Sequence, residues 1–529
     1  MAEENYDFDV IVVGGGVAGS VCACLLAKKG REVLLVERGM EPGSKNLSGG
    51  VFYCRVMQEV FPNFIEEAPI ERRITRNCLS FLNPTNFVNV DYWDSRLAEP
   101  VNAVTVLRAK FDPWLAEQAE EAGVTVMPGV KVDGIIREGG RFVGIRAGED
   151  ELRARVVVAA DGVNSFISQD AGIRGKEPLE NLAVGVKSVI CLGEEEVKKR
   201  FNLVGDEGAA YAVVGDCTEG VAGGGFMYTN RESVSIGIVA RLDDLTKKGK
   251  SSSDLHDHFL SHPAIAPFLE GGELLEYGCH LVAEGGEKMQ HDLVRNGLVV
   301  IGDAAGFTLN TGFTVRGMDL AAGSAVAAAT AVDHALETGD CSRVGLERYI
   351  AEYKKSFVGK DWRRTPRRPT SSRRNVRGSR IDAGGRAVRR VQPRSDAPQA
   401  HPSHRVVRFQ GIRFEDSTDG QNWLPGSEVS VMSDFFEGSV PARLGKNVYE
   451  VDEGNSHIEV NQEIAKATGA GKVLVKVCPA HVYSEEPDGT ISVEFAACLE
   501  CGTCRAVAAP GLLKWHYPEG SMGIMFREG

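Results

Sequence analysis

A short β-branched run opens the hydrophobic pattern of the chain. Residues 8–13, Phe-Asp-Val-Ile-Val-Val, are typical of a strand buried in a parallel sheet. The run leads into Gly14-Gly15-Gly16-Val17-Ala18-Gly19, and the small residues of 20–29 predict a helix. A second apolar run, residues 32–36, predicts a strand that ends at Glu37. The order strand, glycine turn, helix, strand predicts a dinucleotide-binding βαβ unit.

Three glycines of this turn have distinct structural roles. Gly14 permits a tight turn, Gly16 lets a pyrophosphate approach the backbone, and Gly19 lets helix and strand pack closely. The helix N-terminus then faces the phosphates. We therefore predict cofactor contacts at Gly14, Gly16, Val17, Ala18 and Gly19.

Glu37 stands where a carboxylate accepts a hydrogen bond from a ribose 2′-hydroxyl. A negative charge there disfavours a 2′-phosphate, so the pattern argues against NADP. It does not separate FAD from NAD.

Two later strands end in turns of the same character. Residues 153–160 run into Asp161-Gly162, and residues 297–301 run into Gly302-Asp303. An alanine-rich stretch, residues 320–335, follows the second turn and includes Ser324, Thr330 and Asp333. These polar positions indicate a packed core helix rather than a membrane span.

The middle of the chain alternates with a period of two. Residues 183–191, 223–228 and 233–240 each predict a strand. The fold class is therefore α/β (α+β overall), with a Rossmann-like domain from residues 1–170 and 290–360. A sheet domain over residues 171–289 is inserted into it and covers the cofactor.

The strand ending at Asp303 and the segment Asn310–Asp319 resemble the flavoprotein hydroxylase-like superfamily. The resemblance implies that Asp303 binds the ribitol chain of FAD. It also implies that the turn with Gly312, Thr314 and Val315, and the helix after it, lie against the flavin pyrimidine. A helix N-terminus there would stabilise the negative charge of a reduced flavin. FAD is the predicted cofactor.

Four segments together resemble a narrower family, the electron-transfer-flavoprotein:quinone oxidoreductases and their bacterial Fix-type branch. They are residues 45–50, 107–112, 223–228 and 310–317, and the likeness extends over about residues 5–360. The resemblance adds Arg108 to the FAD-binding residues and implies that Gly223 and Gly224 line a quinone pocket. Glycine suits a close approach to the backbone. A hairpin turn or bulge explains the same two glycines without a ligand.

Four cysteines near the end of the chain form a pattern of their own. Cys498, Cys501 and Cys504 have the CxxCxxC spacing that lets three thiolates hold one cubane cluster, and Cys478 followed by proline supplies a fourth. Ala508 stands where a second cluster would need a cysteine. One [4Fe–4S] cluster is predicted, with zinc as the alternative. Residues 433–529 also resemble the ferredoxin-like partner of Fix-type flavoproteins, so the chain looks like a fusion of the two.

Residues 361–432 depart from the rest of the chain. Within 361–413 there are 15 Arg and no Lys against three Asp and no Glu, a local charge of +12. Three interpretations stay open: a disordered basic linker, a polybasic patch for anionic lipid, and a stretch translated in the wrong reading frame. We favour the frame error, because the family resemblance stops before this segment and resumes after it.

The composition limits the classes of function and the cellular location that we expect. The 529 residues carry a net charge of −13, which argues against general nucleic-acid binding. The other eight cysteines are scattered, as buried thiols of a cytosolic protein are. No basic leader and no long apolar run is evident, so we expect a peripheral protein on the cytoplasmic face of the bacterial inner membrane.

The predicted reaction is electron transfer through two carriers. An electron-transfer flavoprotein, with α and β subunits, would supply single electrons, and a quinone would accept a pair. No side chain beyond the cofactors is predicted to be catalytic. Three alternatives stay open: a geranylgeranyl-reductase-like enzyme acting on isoprenoid double bonds, a flavin-dependent monooxygenase, and a cofactor-binding remnant without turnover.

Overall fold

Two large sheets carry the fold in the part of the chain that the structure describes. This structure is a computed structural model, and it describes residues 6–47, 50–311, 315–364 and 439–529. The strands in chain order are β1 Phe8–Val13, β2 Val33–Val36, β3 Val51–Tyr53, β4 Ile70–Asn83, β5 Asn86–Trp93, β6 Ala103–Val106, β7 Thr125–Met127, β8 Gly134–Glu138, β9 Arg141–Ala147, β10 Asp150–Ala159, β11 Leu182–Cys191, β12 Glu207–Gly215, β13 Gly223–Thr229, β14 Ser233–Arg241, β15 Glu273–Ala283, β16 Val294–Arg295, β17 Leu298–Val300, β18 Leu309–Asn310, β19 Val315–Arg316, β20 Val448–Glu450, β21 Ile458–Val460, β22 Tyr483–Glu485, β23 Ile491–Val493, β24 Leu513–Trp515 and β25 Gly523–Met525.

The helices in chain order are α1 Val17–Ala27, α2 Arg55–Val60, α3 Phe64–Glu67, α4 Arg108–Glu121, α5 Phe166–Asp170, α6 Glu194–Phe201, α7 Leu242–Lys248, α8 Ser252–Ser261, α9 Met318–Thr338, α10 Arg343–Leu346, α11 Arg348–Lys355, α12 Phe357–Arg364, α13 Val440–Leu444, α14 Gln462–Thr468, α15 Lys472–Val477 and α16 Thr503–Val507.

The first sheet is the predicted dinucleotide-binding sheet. Its order is β16-β17-β10-β1-β2-β7, and β1 lies parallel between β10 and β2. The apolar residues at 10–12 are completely buried, as expected for a strand covered on both faces. Helix α9 packs against α1, and buried alanines such as Ala322, Ala325 and Ala328 allow a close approach. The α/β Rossmann-type prediction is confirmed, and so is the alanine-rich helix.

The second sheet has the order β15-β11-β14-β13-β12-β4-β6-β3, with β5 paired to β4. The strands predicted at 183–191, 223–228 and 233–240 are present as β11, β13 and β14. The predicted boundaries 171–289 are too narrow, because β3, β4, β5 and β6 come from residues 51–106. Four strands from the first 110 residues thus complete the sheet.

Residues 439–529 fold into short helices and two-stranded ribbons, β20-β25, β21-β24 and β22-β23. Their apolar side chains, including Leu474, Val477 and Ile524, share one buried cluster with the second sheet. This region therefore belongs to the same compact unit as residues 6–364. Of the segment predicted as anomalous, 361–432, residues from 365 onward lie outside the described residues.

Helix α9 is the longest described helix, with 21 residues. Neither it nor another helix of the described ranges is long and apolar enough to cross a bilayer.

Candidate functional site

The glycine turn between β1 and α1 has the geometry that the motif requires. Gly14 has φ +107°, and a Cβ there would lie 2.5 Å from the Ala160 carbonyl oxygen. A Cβ on Gly19 would lie 1.8 Å from the Gly14 oxygen. Both positions accept only glycine. The first residues of α1, Val17 and Ala18, are buried directly beyond the turn.

Glu37 connects the turn to the end of β2. Its carboxylate accepts hydrogen bonds from the backbone N–H of Gly15 at 2.8 Å and of Gly39 at 2.7 Å, and it is 7% exposed. A carboxylate has lone pairs to spare after two such bonds. Ribose binding by Glu37 stays a prediction, and its hold on the turn is an additional role that the motif did not indicate.

Arg108 begins α4 beside the turn. Its Nε donates to Asp112 Oδ1 at 2.6 Å, and an ideal Cβ on Gly16 would lie 3.2 Å from its Nη2. Asn46 donates to the same Asp112 side chain at 2.8 Å. A guanidinium fixed at a glycine turn can bind phosphate oxygens. Asp112 and Asn46, which orient it, lie in the family-like segments 107–112 and 45–50, but the sequence does not show that their side chains meet.

Asp303 follows β17 and lies near the start of α9. A Cβ on Gly317, directly before that helix, would be 3.7 Å from the Asp303 carboxylate. Burial raises the pKa of Asp303, while His280 on β15 and Arg108 oppose the increase. An enclosed carboxylate among donors can accept from hydroxyl groups, and its contact with ribitol stays a prediction.

Of the three remaining residues predicted to lie against the flavin, the structure describes one. Val315 is 37% exposed at the start of β19. Gly312 and Thr314 lie outside the described residues.

Gly223 and Gly224 open β13. A Cβ on Gly223 would lie 2.0 Å from the Val239 oxygen, and one on Gly224 would lie 2.7 Å from the Val213 oxygen. Close packing between β12 and β14 therefore demands glycine at both positions, with or without a ligand. Their quinone role stays a prediction.

The four cysteines of the CxxCxxC pattern and the Cys-Pro meet in one pocket, here called the cysteine pocket: Cys478, Cys498, Cys501 and Cys504. The space is about 290 Å³, including the open region at its mouth, and its lining also includes Pro479, Val482, Tyr483, Leu499 and Trp515. Cys478 thus lies beside three cysteines that come 20 or more positions later in the chain, and their binding of a cluster stays a prediction.

The thiols of the cysteine pocket have different acidities. Burial raises the pKa of Cys478 to about 12 and that of Cys498 well above its usual value. The pKa of Cys501 falls to about 7, mainly because the thiol of Cys279 donates a hydrogen bond to it. Cys279 lies on β15, and its position in the sequence places it among the scattered cysteines. No spacing signal could have identified it.

Among the described residues, no group of three or more His, Cys, Asp or Glu side chains is arranged to hold a single metal ion. A cubane cluster makes a different demand, because each of its four irons binds one thiolate and the four sulfurs need not converge on one point. Three buried cysteines and the half-buried Cys501 around an apolar pocket therefore suit a cluster better than a lone zinc ion, and the cluster stays a prediction.

Glu500 lies in residues 498–504, here called the cysteine loop, and joins this loop to the dinucleotide-binding region. Its carboxylate pairs with Arg38 and with Lys45 Nζ at 3.1 Å, and it accepts the Ile524 N–H at 2.8 Å. Arg38 directly follows Glu37 on the chain. Sequence reasoning missed this connection, although an acidic residue between two cysteines of an otherwise uncharged loop was a usable signal.

Comparisons with known proteins identify an FAD binding domain and the relatives of the chain. The family model of the FAD binding domain matches residues 7–198. The chain is 47% identical over 355 residues to the probable electron transfer flavoprotein-quinone oxidoreductase YdiS of Escherichia coli, covering 67% of this chain and 83% of that protein. It is 43% identical to FixC of Salmonella typhi over 343 residues, covering 65% and 80%.

Two solved structures share the fold. A geranylgeranyl bacteriochlorophyll reductase-like protein from Thermoplasma acidophilum superposes with a TM-score of 0.55 at 23% identity, covering 67% of this chain and 86% of that one. The myxobacterial FAD-dependent halogenase CndH superposes with a TM-score of 0.51 at 21% identity, covering 67% and 81%.

Proposed function

The chain belongs to the family of FixC and the electron transfer flavoprotein-quinone oxidoreductases, and we propose that it passes electrons from an electron transfer flavoprotein to a quinone. Membership makes it an FAD-dependent oxidoreductase of electron transfer. The donor and acceptor proposed here are those in the names of its relatives.

We further propose that the chain holds one [4Fe–4S] cluster in the cysteine pocket. The observation that carries this proposal is that Cys478 meets the three cysteines of residues 498–504 in one pocket, and Glu500 fixes that loop to the dinucleotide-binding region. FAD exchanges one or two electrons and such a cluster exchanges one, which suits a one-electron donor and a two-electron acceptor.

The residues of the chain have distinct tasks in this proposal. The turn Gly14–Gly19 and the N-terminus of α1 would bind the pyrophosphate, with Arg108 held beside them by Asp112. The four thiols would bind the irons, and the apolar lining of the cysteine pocket would exclude water from them. The ion pairs of Glu500 would fix the separation between the two sites.

Cofactor content tests the two-site proposal. Protein purified without oxygen should contain about one FAD, four iron and four sulfide per chain. The variant Cys498→Ala should lose iron and keep FAD. Cys341→Ala is the matched control, because Cys341 is also buried but belongs to the first sheet's core. Wild-type protein without iron, or Cys498→Ala with full iron, would refute the cluster.

Electron transfer is tested next with a purified electron transfer flavoprotein and a short-chain quinone. Wild-type protein should reduce the quinone only when the reduced flavoprotein is present. Quinone reduction that needs NADH instead would refute the proposed donor.

We propose that the enzyme binds the cytoplasmic face of the bacterial inner membrane through the β4–β5 hairpin. The side chains of Phe81, Val88, Val90 and Tyr92, here called the apolar stripe, are 44%, 60%, 55% and 55% exposed. Phe81 pairs with Val88, and Val88, Val90 and Tyr92 alternate along β5, so all four share one face. Quinones dissolve in lipid, and an apolar face at a sheet edge suits shallow insertion into a bilayer.

Vesicle sedimentation tests this contact. The double variant Val88→Ser/Val90→Ser should bind vesicles of phosphatidylethanolamine and phosphatidylglycerol at least about tenfold more weakly, because two valine side chains that would enter the bilayer are lost. Asn89→Ser changes the opposite face of the same strand and is the control. Equal binding by both variants would exclude the hairpin as the contact.

A further inference from the structure

Lys187 is a buried cation with no hydrogen-bond partner among the described residues. It lies in the middle of β11 and is 2% exposed. Its Nζ makes no hydrogen bond to any described residue. A buried ammonium group without hydrogen bonds costs several kcal/mol in proteins, so the position requires an explanation.

The cross-strand partners of Lys187 show which face of the sheet its side chain occupies. Lys187 pairs with Gly237 on β14 and Gly278 on β15. The adjacent row on the same face holds His280, which interacts electrostatically with Asp303 and Arg108. Lys187 also feels the charge of Arg108. It therefore faces the elements that form the FAD site.

The surroundings of Lys187 offer little to bind its three N–H groups. The Cβ positions of its two glycine neighbours are filled by Phe226 on one side and by Leu47 and Phe526 on the other. The carboxylates whose negative charge raises the pKa of Lys187 are those of Glu276 and Glu528. Glu276 is itself occupied, because it accepts the backbone N–H of Arg527 at 2.6 Å and that of Glu528 at 3.2 Å.

We propose that Lys187 donates a hydrogen bond to a carbonyl oxygen of a redox ring bound against this face of the sheet and stabilises the negative charge that the ring gains on reduction. The ring is that of FAD or, on the basis of the proposed function, that of the quinone. The two share one chemistry, an oxygen that becomes more negative when electrons arrive. A cation fixed beforehand in an apolar setting stabilises such charge strongly.

The experiment uses the full chain loaded with FAD in four variants: Lys187→Met, Lys187→Gln, Lys187→Arg and the surface control Lys199→Met. Methionine matches the length of the lysine stem and removes the unpaired charge, so folding should survive. The Lys199 side chain is 76% exposed, and Lys199→Met removes the same charge from the protein as Lys187→Met. FAD content and unfolding temperature verify each protein before measurement.

The first arm is the midpoint potential of bound FAD without quinone. If Lys187 serves the flavin, Lys187→Met lowers the ratio of reduced to oxidised flavin at least tenfold, about 30 mV for a two-electron couple. Lys187→Arg should retain most of the wild-type potential and Lys187→Gln should lie between. Lys199→Met should match wild type.

The second arm is the affinity for a quinone analogue that cannot be reduced. If Lys187 serves the quinone, the flavin potential stays at its wild-type value and Lys187→Met binds the analogue at least tenfold more weakly. The proposal is overturned if both quantities remain within threefold of wild type. A wild-type protein that binds no analogue would refute the quinone, while the flavin arm would still decide the role of Lys187.

Discussion

The cysteine loop and the face of β11 each contain a buried charged side chain. The two side chains differ in whether the surrounding residues supply partners for the charge. Glu500, with its side chain 2% exposed, meets Arg38, Lys45 and a backbone N–H. Lys187 is equally buried and meets no described partner. Burial alone would raise the pKa of Glu500, but Arg38 and Lys45 hold it below its usual value. Burial lowers the pKa of Lys187 to about 8.

The difference separates a structural charge from a functional one. A buried ion with a complete set of partners fixes two segments together, here the cysteine loop and the end of β2. A buried ion without partners weakens the fold unless a ligand supplies them. The two charges should therefore respond to mutation with opposite signs.

The largest effect is expected for Glu500→Gln. The substitution removes the counter-charge of the buried Lys45 and of Arg38, whose side chain is 19% exposed, and breaking a buried pair costs about 3–5 kcal/mol. Arg38 keeps its charge at every accessible pH, so it supplies most of that cost, whereas burial already lowers the pKa of Lys45. Urea unfolding followed by tryptophan fluorescence measures the loss, and iron content should fall with it.

Glu519→Gln is the control for this prediction. Glu519 pairs with Lys131 at 2.7 Å, yet its side chain is 58% exposed. Exposed pairs contribute about 0–1 kcal/mol. A loss for Glu500→Gln no greater than that of the control would show that the buried ion pairs do not hold the loop.

The second prediction is a gain in stability for Lys187→Met in protein stripped of FAD. A pKa lowered from 10.5 to about 8 corresponds to about 3 kcal/mol of destabilisation at neutral pH. Methionine removes that cost. In FAD-loaded protein the gain should shrink if the flavin supplies the missing partner. Equal gains in both states would place the acceptor of Lys187 elsewhere.

The same shift predicts a dependence on pH whose sign is fixed. Between pH 8 and 10.5 the unfolded chain binds a proton at Lys187 that the folded chain has released. The stability of the wild type therefore rises with pH across this window relative to Lys187→Met, and the gain of the variant fades. Thermal unfolding of both proteins at pH 7, 8.5 and 10 measures it. A constant difference would show that Lys187 does not titrate in this range.

The contrast between the two charges also shows what the sequence could and could not predict. Backbone-determined features were readable, because Gly14 and Gly19 leave no room for a side chain and the period of β14 is two. The cysteine spacing likewise predicted a shared pocket. In each case the residue types and their spacing along the chain carry the information, and the fold agrees with the prediction made from them.

Long-range partners were not readable. Glu500 meets Arg38 across 462 positions, and the face of Lys187 depends on the register of three strands. The width of the second sheet was missed for the same reason, since β4 pairs with β12 across more than a hundred residues. Pairing at this distance leaves no trace in local periodicity.

The smallest effect is expected for Arg38→Lys, which asks whether charge or shape holds Glu500. The guanidinium lies 3.8 Å above the ring of Tyr517 as well as against the carboxylate. Lysine keeps the charge and loses the flat stacking surface, so the expected loss is about 1 kcal/mol in urea unfolding. Arg137→Lys is the control, since that exposed guanidinium lies 5.6 Å from the ring of Phe142 and should contribute less. A loss as large as that of Glu500→Gln would mean that the planar guanidinium, rather than positive charge alone, holds the cysteine loop on the dinucleotide-binding region.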